Sequence, residues 1–192
     1  RATCSENQRL VGAIMPLHPD DFLWPTGLLG AGSGHTAPLR IRWLGTAGYQ
    51  LEAQGTVLLI DPYLSRVSLG EFLFRPLSVN HELLATEIPS ATAVLVGHSH
   101  FDHVMDVPSI AARTGAVVYG SRSTANLMRA SGLPTHQIVE CAGGEEFEVG
   151  PFRVRMVPSV HSRFWLGRVP YPGEIPCSCE LPLRGKHYRC GQ

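Results

Sequence analysis

His98-Ser-His100-Phe-Asp102-His103 places four side chains able to bind a metal within six residues. They follow directly on an apolar run, Ala93-Val94-Leu95-Val96, that reads as a buried strand. Side chains two apart on an extended backbone point the same way, so His98 and His100 can converge on one ion as the strand ends. The turn that follows brings Asp102 and His103 to a neighbouring position. Neutral imidazole with a carboxylate suits zinc first, with manganese and iron close behind. The bland alternative is a polar loop in a chain with nine His among 192 residues. Three His and one Asp in six residues favour the metal.

The elements that must position this cluster are short. Residues 39–44, 49–53 and 56–60 have the composition of strands, the last two joined by Gln54-Gly55, where glycine supplies the positive φ of a hairpin turn. A looser, partly apolar segment covers 67–84. After the His cluster, 104–113 reads as a helix in which Pro108 restricts the preceding turn. Residues 116–119 read as a strand, and 123–130 as a helix that Ser121 or Ser123 can cap and Gly132-Leu-Pro134 ends. A strand at 136–140 follows, then a hairpin of 145–149 and 152–157 turned at Gly150-Pro151. Paired strands first and strand–helix alternation afterwards give an α/β, or α+β layered, domain. Residues 1–37, punctuated by Pro16, Pro19, Pro25 and Gly30-Ala-Gly32-Ser-Gly34, read as a loop-like arm that Phe22 and Trp24 tie to the body, and 38–192 as the folded domain.

Composition narrows the function. Hydrophobic residues make up 44% of the chain and charged ones 17%, which is a globular composition. Sixteen basic residues balance sixteen acidic ones, with no basic stripe, so nucleic acid is not an expected partner. No apolar run is long enough for a transmembrane helix. The chain begins Arg1-Ala2-Thr3-Cys4 with neither Met nor a signal-peptide pattern; Met15 as a true start and trimming are both open. Five Cys at irregular spacing do not form a disulfide framework, which points to a cytoplasmic setting. The expected partner is a small-molecule substrate, and the oligomeric state is not fixed by the pattern.

Two residues far from the cluster join it on their context. Asp61 closes the apolar run Val57-Leu-Leu-Ile60 and precedes Pro62. A carboxylate there can hydrogen-bond the far nitrogen of a metal-bound His, although Asp-Pro is also an ordinary turn starter. His161 follows the strand-like run 153–158. Alone it would read as structural; beside His98 and His100 it can complete a three-His site.

His98-x-His100-x-Asp102-His103, with Ile60-Asp61-Pro62 upstream and Pro158-Ser-Val-His161 downstream, resembles the metallo-β-lactamase superfamily of metallohydrolases. Trp43-Leu-Gly45-Thr-Ala-Gly48, the Gln54-Gly55 turn and His161-Ser162-Arg163 resemble its lactonase-like and N-acylphosphatidylethanolamine phospholipase D-like branch. The resemblance spans about residues 39–163 and implies an αββα sandwich. It implies His98, His100 and His161 around one metal, and Asp102 and His103 at a second. One or two zinc ions are expected, with Mn2+ or Fe possible. A water activated there would attack a carbonyl or phosphorus, with Asp102 orienting it and Asp61 supporting the ligands.

The resemblance stops short at the carboxyl end. Such enzymes carry a bridging Asp in a Gly-Asp context and one more His, and nothing after His161 fits. Lys186-His-Tyr-Arg-Cys190-Gly191 looks like the start of a strand. The second half of the sandwich is therefore expected to be incomplete, with an unpaired sheet edge exposed. Cys177, Cys179 and Cys190 lack zinc-finger spacing and read as ordinary thiols. Arg163 is the better of two arginines (with Arg168) for contacting an anionic substrate. Asp106 can brace the helix after His103.

The leading expectation is thus a metal-dependent hydrolase acting on a small, anionic ester, lactone or phosphodiester. The alternative is a non-catalytic metal-binding or interaction domain on the same fold. An RNA-processing nuclease is disfavoured, because basic surface is scarce.

Overall fold

The computed structural model describes residues 39–163 and 167–191. The expectation for the arm at 1–37 lies wholly outside these. Eight strands and five α-helices run in the order β1 (Arg40–Gly45), β2 (Gly48–Ala53), β3 (Thr56–Ile60), α1 (Leu69–Phe74), α2 (His81–Glu87), β4 (Ala93–Leu95), α3 (Phe101–Val104), α4 (Val107–Thr114), β5 (Val117–Gly120), α5 (Arg122–Ala130), β6 (Ile138–Glu140), β7 (Glu146–Val149) and β8 (Phe152–Arg155).

The main sheet has the order β1-β2-β3-β4-β5-β6. Its first three strands are antiparallel and β3 to β6 are parallel. The β2–β3 turn has positive φ at both Gln54 (49°) and Gly55 (76°), the tight hairpin geometry whose twist matches its strands. Side chains alternate between the two faces of the sheet. Val57, Leu59, Val94 and Val118 point to one face, where Leu84, Ile110, Ala111, Leu127 and Met128 of the helices cover them. Leu58 and Ala93 point to the other, where Val149 and Val154 of the β7–β8 hairpin close a smaller core. The Tyr119 ring stacks on Phe147 at 4.2 Å between centroids, fixing hairpin to sheet. The result is an α/β fold of helices, mixed sheet and second sheet. Among the described residues that second sheet has two strands.

Several elements differ from the expectation. The segment 67–84 contains one helix, α1, and the start of a second, α2, rather than irregular chain. The first, α1, is held by a capping box between Ser68 and Glu71 and has no buried residue, so no apolar period announced it. The helix expected over 104–113 is two pieces, and the first begins at Phe101, so His103 lies inside α3 and not in a turn. Ser121 is the N-cap of α5, yet its hydroxyl makes no capping bond. The strand expected over 136–140 opens with a 3-10 turn at Thr135–Gln137.

The largest difference is the tail. Lys186–Cys190 is no strand; a 3-10 turn at Gly185–His187 leads the chain back across the helical layer. Ile175, Leu183, Tyr188 and Cys190 are buried by this docking. The polar residues of α5 explain how. Asn126 Nδ2 donates to the Ile175 carbonyl at 2.9 Å, and Ser123 Oγ accepts the Ile175 N–H at 2.8 Å. The buried polar residues of this helix thus form a seat for the tail. Asp106 is likewise a brace: fully buried, it accepts from Leu64 N, Ser65 N and Ser65 Oγ at 2.6, 2.8 and 2.6 Å. Burial pushes its carboxyl above the usual range, against the pull of those donors.

Candidate metal centre

The site forms where parallel strands end. Ile60 pairs with Leu95 in register, and Asp61 N donates to the Leu95 carbonyl at 2.9 Å. The residue after β3 therefore stands beside the chain leaving β4. Asp61 takes a positive φ of 43°, which turns its buried side chain toward that chain. Its Oδ1 accepts the Gly97 N–H at 2.7 Å. A Cβ on Gly97 would come within 3.0 Å of Asp61 Oδ2, so this close approach requires glycine. Asp61 Oδ2 lies 3.0 Å from His103 Nδ1. That nitrogen is buried and close enough for an ion pair, though not aligned as a formed hydrogen bond.

His98 and His100 leave the same strand end, and His161 arrives from the second sheet, six residues beyond β8. One nitrogen from each of the three lies within 4.8 Å of the others. His98 Nε2 and His100 Nδ1 are 3.0 Å apart. The His161 ring centroid is 4.9 Å from both the His98 and the His100 ring. His100 Nε2 sits 2.9 Å from the Pro170 carbonyl, against which it can only donate. Its Nδ1 is then a lone pair facing His98 and His161, the tautomer a metal ligand needs.

Electrostatics prepare the cluster for a cation. Burial, reinforced by the neighbouring His103, His100 and His161 rings, pushes the His98 pKa down to about 3. His100 is lowered as well, chiefly by burial. Near neutral pH both rings are uncharged and carry no proton that a metal must displace. Three nitrogens each about 2.0–2.1 Å from a tetrahedral ion would stand roughly 3.4 Å apart. The observed separations bracket that spacing, so the donor set fits a divalent ion with nitrogen preference.

Asp102 and His103 form the flank. The His103 ring lies 3.8 Å from the His98 ring, tilted by 50°, and its Nε2 is 3.8 Å from Asp102 Oδ2, a carboxylate about a third exposed. Arg163 is exposed two residues beyond His161. The structure thus gathers His98, His100 and His161, sets Asp102 and His103 alongside with Asp61 behind, and leaves Arg163 on the surface. Sequence reasoning missed the tail's part. Ser99 Oγ donates to the Arg189 carbonyl at 2.7 Å, Ser99 N to Cys190 O at 3.2 Å, and Pro170 fixes His100. These are backbone carbonyls, which no residue type could have flagged.

Residues 56–175, well over half of the chain, match the beta-lactamase superfamily domain. The chain belongs to that superfamily. Its relatives include a UPF0173 metal-dependent hydrolase of Myxococcus xanthus (strain DK1622), 33% identical over 123 residues, 64% of this chain and 39% of that protein. Another, of the same designation from Carboxydothermus hydrogenoformans, is 32% identical over 149 residues, 77% of this chain and 59% of that one. The chain spans about half the length of the curated relatives it matches. Among solved structures it is similar to Igni18, a novel metallo hydrolase from the archaeon Ignicoccus hospitalis. That likeness has 18% identity and a TM-score of 0.45, over 69% of this chain and 53% of that one.

Proposed function

We propose that this superfamily member is a metal-dependent hydrolase in which His98, His100 and His161 hold a divalent ion, zinc first and manganese or iron next. The observation that carries the reading is the convergence of three imidazole nitrogens from two distant segments within 4.8 Å. The names of the relatives support the reaction class.

When bound, the ion would polarise a carbonyl or phosphoryl oxygen and acidify a water toward neutrality. The protein's own groups do the rest. His100 keeps its Nε2–H on Pro170 and turns Nδ1 inward. Asp61 holds Gly97 and faces His103, so the loop carrying His98, His100 and His103 is tied to the end of β3. Asp102 Oδ2, partly exposed beside His103, is placed to orient a water and accept its proton. With His103 it forms the half of a second metal position. Arg163 is the candidate contact for an anionic substrate, and the resemblance of Trp43–Gly48 and His161–Arg163 to the lactonase-like branch supports a small lactone, ester or phosphodiester as substrate.

The free Cys141, Cys177, Cys179 and Cys190 fit a cytoplasmic setting. Among the described residues no helix is long and apolar enough to cross a membrane.

The test is a hydrolysis screen of zinc-, manganese- and iron-loaded protein on activated carboxylic esters, lactones and an activated phosphodiester, with His98→Ala as control. Turnover that chelator and His98→Ala both abolish supports the reading. Stoichiometric metal without turnover on any class favours the non-catalytic metal-binding alternative.

A further inference from the structure

Among the described residues, one face beside the metal centre is apolar and uncovered. In α1, Leu69 is 73% exposed, Leu73 53% and Phe74 74%, three of the six residues of one short helix. Only Phe72 turns inward, its ring 4.8 Å from Phe101 and 6.0 Å from Tyr171. Exposed leucines scattered singly need no account, but three large apolar side chains on two turns make a patch of roughly the size that marks interaction sites.

The surroundings say what covers it. Arg75 ends the helix, Arg184 pairs through its backbone with Pro76, and the turn bearing Lys186 packs against α1, where Gly185 meets the Phe72 ring. Arg75, Arg184 and Lys186 are all exposed. The nearby acids are Glu71, turned back onto Ser68 in the capping box, and Glu180, which lines the same cavity as Arg184. The rim is therefore basic, which sets two copies of this face against each other and suits an anionic surface. The start of the helix is closed by the Ser68–Glu71 box, and Arg75 N donates to Glu71 O at 2.9 Å.

We propose that α1 is a docking element for an anionic lipid surface, with Leu69, Leu73 and Phe74 entering the headgroup–acyl boundary and Arg75, Arg184 and Lys186 meeting lipid phosphates. Phe101 follows His100 and Tyr171 follows Pro170, so docking through Phe72's neighbours holds the His cluster at the lipid–water boundary. This inference stands on the surface and not on the hydrolase reading.

Flotation of the full chain with vesicles tests it, using phosphatidylcholine alone and phosphatidylcholine mixed with phosphatidylglycerol, at low and high salt. Binding to the anionic vesicles is expected, weakened by salt. Leu69→Ser/Phe74→Ser should weaken it by at least about tenfold, and Arg75→Gln/Lys186→Gln should reduce it to the level seen on neutral vesicles. All four positions are exposed, and matched thermal melts check the fold. No binding to anionic vesicles, or binding indifferent to both double variants, overturns the proposal. A concentration-dependent dimer in light scattering that Leu69→Ser/Phe74→Ser abolishes also overturns it, in favour of a second copy of the chain.

Discussion

His98 is the residue whose chemistry depends most on its surroundings. In the unfolded chain it takes up a proton near 6.5, whereas in the folded, metal-free protein it does so only near 3. Between those values the unfolded state binds more protons, so this group makes the metal-free protein more stable as pH rises from about 3 to about 6.5, and adds no slope above. Chemical denaturation of metal-free wild type and His98→Gln across that range should show a steeper rise for wild type; parallel curves would contradict the half-buried, neutral imidazole. Asp61 acts through others. Asp61→Asn keeps an acceptor for Gly97 but removes the charge facing His103 Nδ1. Metal affinity by competition with a chelating dye should fall about 10–100-fold, with the melting temperature of the metal-free protein little changed. The cluster at 98–103 was legible because chemistry demands those residue types; Asp61, which alone reads as a turn starter, was singled out only beside that cluster. The carbonyl of Pro170 was not legible, since every residue carries one.

At the level of elements, the hairpin is what delivers His161. Val149 pairs with Phe152 around Gly150-Pro151, and Gly150 has φ of 54°. A Cβ there would meet Thr56 Oγ1 at 2.1 Å, and Thr56 is itself buried against the sheet. Gly150→Ala should destabilise the fold by about 1–3 kcal/mol through positive φ and overpacking. Because the hairpin leads to His161, metal should be lost in that variant before the main sheet melts, as seen by comparing metal release with far-ultraviolet circular dichroism during heating. Simultaneous loss would mean that hairpin and sheet are one cooperative unit. The hairpin and the first three strands were readable because alternation and turn glycine agree. The helix α1 was not, because its apolar residues face outward. The start of α3 was missed too: His100 caps it without a side-chain bond, leaving no capping residue type to read.

Across the whole molecule, the site is a junction between segments far apart in sequence. The loop after β4, the end of β3, the exit from β8 and the tail at 170–191 meet there, and the tail's carbonyls on Ser99 and His100 tie it to the metal loop. Ion binding should therefore stabilise the whole fold. At a free metal concentration 100 times Kd the gain is about 2.7 kcal/mol, read as a rise in melting temperature that chelator reverses. A rise confined to local protection of residues 96–104 in hydrogen exchange would show that the tail is not coupled to the site. The expected strand at the carboxyl end failed for a physical reason: its apolar residues, Tyr188 and Cys190, are buried against the helical layer rather than in a sheet.

Convergence of His161 with His98 and His100 is the central claim, and metal content tests it most directly. Protein is loaded separately with zinc, manganese and iron(II), dialysed, and analysed for metal per chain beside His98→Ala and His161→Ala, with folding checked for each. The structure predicts at least one ion per wild-type chain, and loss of it in both variants although the two positions lie in loops that follow strands of different sheets. A folded wild type that retains none of the three metals, or a His161→Ala variant that keeps its ion in full, would contradict it.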